Sequence, residues 1–114
     1  MSEIQLRRYR LKAGKRERLY EWVEEVTSRR DEAVETLQAE NVYSETAFLE
    51  SRADGDYVCF YMEAEDVEAA AEAFEASTHD LDQQFKQLLN DVVAENQPDE
   101  AIEPLYHVAN PDRP

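Results

Sequence analysis

The sequence holds one cysteine, two glycines, two histidines and three lysines in 114 residues, and each scarcity closes off a class of function. A single cysteine, Cys59, permits no intrachain disulfide. Its place in an apolar run points to a small buried hydrophobe in a reducing compartment. Gly14 and Gly55 are too few for a glycine-rich loop that cradles phosphate, so nucleotide binding is not expected. His79 and His107 stand apart, without the clustered His, Cys and carboxylate ligands of a metal site, so neither a metal nor a cofactor is expected. No apolar run approaches the ~20 residues that span a bilayer, and Met-Ser-Glu-Ile is not the start of a basic-then-apolar leader. The expectation is a cytoplasmic, water-soluble protein with no membrane partner.

Positive charge is also short. Twelve Lys and Arg stand against 27 Asp and Glu, for a net charge of −15. Phosphate backbones are recognised by basic patches, so nucleic acid is excluded as a partner. Hydrophobic residues make up 42% of the chain and recur periodically, which speaks against disorder. Adaptation to high salt remains, where dense carboxylates hold water and ions and screening removes their mutual repulsion. Nine arginines to three lysines fit that surface chemistry, and a halophilic protein is expected. The charge is segregated: residues 1–30 carry nine basic and five acidic groups, and the rest of the chain carries three and 22. One positive region therefore sits on an otherwise negative molecule.

What is present reads as alternating strands and helices. Glu3–Lys12 alternates Ile4, Leu6, Arg8, Arg10 with Gln5, Arg7, Tyr9, Leu11, a strand mixed in polarity on both faces. Lys15–Glu40 reads as one long helix with Leu19, Trp22, Val23, Val26, Ala33, Val34 and Leu37 as its stripe, interrupted by Arg29 and Arg30. Val42–Ser51 and Asp56–Met62 flank Asp54-Gly55, a strong hairpin signal. Val58, Phe60 and Met62 are assigned to the helix side; Tyr57, Cys59 and Tyr61 face a cavity or partner. Helices follow over Glu65–Ala76 and from Ser77, with Asp80 as its capping pair, to Glu95. A fourth strand, Ile102–Val108, carries Pro104 and is read as a sheet edge. Residues 1–109 form one domain, and 110–114 a polar tail.

This order predicts an α+β fold of ferredoxin-like type, β-α-β-β-α-(α)-β, an antiparallel sheet with its helices on one face. A single helical layer leaves the other sheet face bare, and two bare faces brought together close a barrel. Leu11-Lys12-Ala13-Gly14-Lys15 entering a long helix, followed by the aromatic hairpin and a C-terminal edge strand, resembles the dimeric α+β barrel superfamily. Arg29-Arg30-Asp31-Glu32, Tyr61 to Asp66 and Phe74 to His79 resemble, within it, a family of uncharacterised archaeal and bacterial proteins. The resemblance implies a homodimer with a small-molecule cavity between sheet and helices, as in cofactor-independent monooxygenases and sugar mutarotases. It implies no reaction. The Tyr and His of a mutarotase helix would fall at positions that here hold Leu19 and Val23.

Two functions compete. In one, Arg8, Arg10, Arg30 and Tyr61 bind a small anionic or aromatic oxygenated molecule, with His107 and His79 as catalytic bases of a monooxygenase- or isomerase-like enzyme. In the other, the chain is a non-catalytic homodimeric module of a halophile, and its arginines bridge carboxylates. The first requires a closed pocket where Arg8 or Arg10 meets a histidine. The second requires paired arginines and no enclosed volume.

Overall fold

A computed structural model of the chain describes residues 2–95 and 102–113. Seven elements follow one another: β1 (Glu3–Arg10), α1 (Arg16–Ser28), α2 (Arg30–Ala39), β2 (Val42–Arg52), β3 (Gly55–Ala64), α3 (Val67–Ala76) and α4 (Asp80–Val92). The strands form one antiparallel sheet in the order β1-β3-β2, so the protein is α+β. None of these helices is long and apolar enough to cross a membrane.

The hairpin forms where Asp54-Gly55 places it. Ala53 and Asp54 make the two-residue loop, Arg52 pairs with Gly55, and Gly55 takes the positive φ of 139° that a side chain resists. Residues that pair across antiparallel strands share a face, so the register divides the sheet cleanly. Leu11, Tyr9, Val58, Phe60, Met62, Ala64 and Leu49 look towards the helices. Leu19 of α1 and Leu88 and Val92 of α4 close over Val58, and Ala70 of α3 closes over Ala64 and Val42. Phe85 is the hub of the helical layer, stacked on Trp22 at 5.4 Å and edge-on to Phe60 and Phe74 at 5.2 and 5.7 Å.

Three expected features differ. The single helix over 15–40 is two, broken at Arg29, whose backbone (φ −118°, ψ 40°) leaves the helical region. The last helix is capped by His79, whose Nδ1 accepts from the Leu81 amide at 3.1 Å, while Ser77 accepts from the His79 amide. The expected strand over Ile102–Val108 is irregular chain. Pairing beside β1 begins earlier, with the bridge Leu11–Val93 and the bond from the Ala94 amide to the Arg10 carbonyl.

Candidate functional site

The sheet face turned away from the helices carries Ile4, Leu6, Arg8 and Arg10 from β1, Tyr57, Cys59, Tyr61 and Glu63 from β3, and Ser44, Thr46, Phe48 and Glu50 from β2. Arg8, Arg10 and Tyr61 thus share one surface. At its hairpin end Tyr57 is buried between two guanidiniums, Arg10 and Arg52, at 5.5 and 5.3 Å from the ring centre. The Tyr57 hydroxyl donates to Asp54 at 2.7 Å and accepts from Arg10 at 3.0 Å. Those bonds, Tyr57's first and then Arg10's, hold the Asp54 carboxyl below its ordinary range. Arg8 of β1 reaches across β3 and lies 3.0 Å from Glu50 of β2. Arg16, at the start of α1, grips Asp56 with two bonds of 2.9 and 3.1 Å and reaches Ser51.

The opposite end of the face is built around Glu63, only 2% exposed. Ser2 donates to it at 2.6 Å, Arg113 donates to both its oxygens at 2.8 and 3.0 Å, and His107 Nε2 lies at 3.0 Å. These groups, Arg113 first and Ser2 next, hold the Glu63 carboxyl down to about 2. The C-terminal segment 102–113 is therefore fastened to β3 through a buried carboxylate. Beside it a depression of about 320 Å³ opens between Ser2–Ile4, Val67 at the start of α3, and Pro104–His107. A second, of about 370 Å³, lies between Tyr9, Lys12 and the end of α4.

The remaining candidates lie elsewhere. His79 spends one ring nitrogen on its cap and presents Nε2 to Glu35 at 3.4 Å, across from α2. Arg29 binds Glu25, Glu32 and Asp80, joining α1, α2 and α4, and these partners raise its already high pKa further. Arg30 is exposed at the start of α2. His107 and His79 do not meet Arg8 or Arg10 in either depression; His107 alone of the four lines one.

Glu63 and Arg113 are not among the residues that the sequence singles out. The signal was the alternation of β3, which puts a carboxylate in line with Tyr57, Cys59 and Tyr61. Nor does the sequence single out a carboxylate group where α2, β2 and α4 meet, with Asp82 buried and Glu40 half-buried. Burial, then Asp82 and Glu45, push Glu40 up to about 7. Among the described residues no set of three or more His, Cys, Asp and Glu is placed to hold a metal ion.

Compared with known families, residues 2–113 match a family of unknown function, DUF6176. The chain belongs to that family. Neither the curated proteins nor the solved structures provide a match to this DUF6176 chain.

Proposed function

We propose that this protein is a homodimeric module, in which two ferredoxin-like units pack bare sheet face to bare sheet face and close a dimeric α+β barrel. The observation that carries the reading is the face itself. Half-buried Leu6 and Tyr61 lie on it around the buried Cys59, with the helices on the other side, and Phe48 is 55% exposed at the centre of β2. An apolar surface of this kind on a chain this short is the mark of an interface. The arginines support the non-catalytic form of the reading. Arg8 and Arg10 are matched to Glu50 and Asp54 on the same face, so their charge fastens strands to one another. The setting is a salt-rich cytoplasm, in which the acidic outer surface stays hydrated.

Sedimentation at micromolar protein is expected to give twice the 13.3 kDa chain mass. Phe48→Asp is expected to give the monomer with unchanged far-UV dichroism. A monomeric wild type overturns the reading. A small-molecule role has one observation in its favour: His107, oriented by an ionised Glu63, lines a depression of suitable size. It would be a cofactor-free activity. A thermal-shift screen of small carbonyl and phenolic compounds, with hits lost in His107→Ala, would establish it in place of the structural reading.

A further inference from the structure

Glu63 and the segment it holds do more than finish the fold. We infer that residues 102–113 form a strap clasped by Glu63, and that the clasped strap supplies part of the surface on which a second copy of the chain docks. The inference rests on the homodimer reading above and names a further segment of that interface.

A carboxylate 2% exposed is costly unless charges and hydrogen bonds match it. Two of the three residues that match Glu63, His107 and Arg113, come from the strap, and the third is Ser2. The strap has no regular secondary structure to hold it in place. Its position is set by this clasp. Yet the strap does not turn its apolar side chains inward: Leu105, Tyr106 and Val108 are 87%, 83% and 83% exposed, on either side of the fastened His107. Fixing such residues while leaving them in water gains nothing within one chain. It gains when a partner covers them.

Charge indicates that the partner is a second copy. At the hairpin end of the face Arg8, Arg10 and Arg52 stand against Glu50 and Asp54, a surplus of one positive charge. At the strap end Glu63, Glu103 and Asp112 stand against Arg113, a surplus of two negative charges. A two-fold axis running between two faces and across their strands lays the hairpin end of one copy over the strap end of the other. Each strap then meets the partner's basic end.

The test is sedimentation equilibrium on the full chain and two variants, with hydrogen exchange followed across residues 102–113. The Leu105→Ser/Val108→Ser double variant alters only exposed side chains and is expected to weaken the dimer at least tenfold. Glu63→Gln is expected to weaken it similarly and to speed exchange in the strap, while α4 keeps its protection. A wild-type dimer whose affinity the double variant leaves within twofold overturns the docking role and leaves the homodimer standing. A monomeric wild type removes both. Strap exchange unchanged in Glu63→Gln overturns the clasp, and if that variant unfolds, the double variant decides.

Discussion

Glu40 is where burial and like charge meet most directly. It closes α2 beside the buried Asp82 of α4 and Glu45 of β2, with Lys86 giving partial relief, and its carboxyl titrates at about 7 against an ordinary value of 4.5. Between those two values the folded chain holds a proton that the unfolded chain has released, so stability falls as pH rises through the window. Above it the ionised Glu40 costs the fold about 1 kcal/mol once its partial exposure is discounted. Glu40→Gln is expected to flatten this slope, matching the wild type near pH 4.5 and exceeding it at pH 8. Urea midpoints at the two pH values measure the difference, and parallel slopes would show that Glu40 titrates alike in the folded and unfolded chain. At this scale the sequence told little. Arg8 and Arg10 could be put on one face of β1 by counting in twos, but that Tyr61 shares it follows only from the β1–β3 register, and the arginines' carboxylate partners come from β2 and the hairpin loop, 40 or more residues away. Nothing local in the chain marks Asp82 as buried.

The elements were more legible, because hydrophobic period and turn chemistry are local. β1, the hairpin and α3 lie within a few residues of where alternation and Asp54-Gly55 put them. The break at Arg29 was hidden, since neither glycine nor proline marks it. Of the three carboxylates that Arg29 binds there, Glu25 and Glu32 are local, while the place of Asp80 beside α1 and α2 is a tertiary fact. The hairpin supplies a sharp prediction. A Cβ added at Gly55 or Gly14 meets no atom within 4 Å, so the cost of either change is conformational. Gly14 (φ 76°) lies near the left-handed well that other residues visit, whereas Gly55 (φ 139°) lies beyond it. Gly55→Ala is expected to lower stability by about 2–3 kcal/mol and Gly14→Ala by about 1 kcal/mol, read from urea unfolding. Equal losses would mean that the β2–β3 turn relaxes to another geometry.

Taken whole, the molecule is a sheet with one dressed side and a dense negative charge. A net −15 on a chain of this size repels itself, and raising KCl from 0.1 M to 2 M shortens the screening length from about 10 Å to about 2 Å. The thermal midpoint is expected to rise by roughly 5–10 °C over that range. A flat response in a calorimetric salt series would remove the halophilic reading. The α+β class and the one-sided placement of the helices could be read from element order, because a helical layer covers only one face of a sheet. The path of the C-terminal segment could not, because Pro104 and the edge-like pattern of 102–108 describe a strand, while the buried carboxylate that captures the segment lies 40 residues earlier. Trp22, the only tryptophan, offers a last consequence. Stacked on Phe85 inside the helical layer, it is separated from the bare face by the sheet, so its emission reports melting of the interior and would stay silent if the proposed dimer parted or the proposed strap lifted. Fluorescence and sedimentation on one sample would therefore distinguish unfolding from dissociation without an added label.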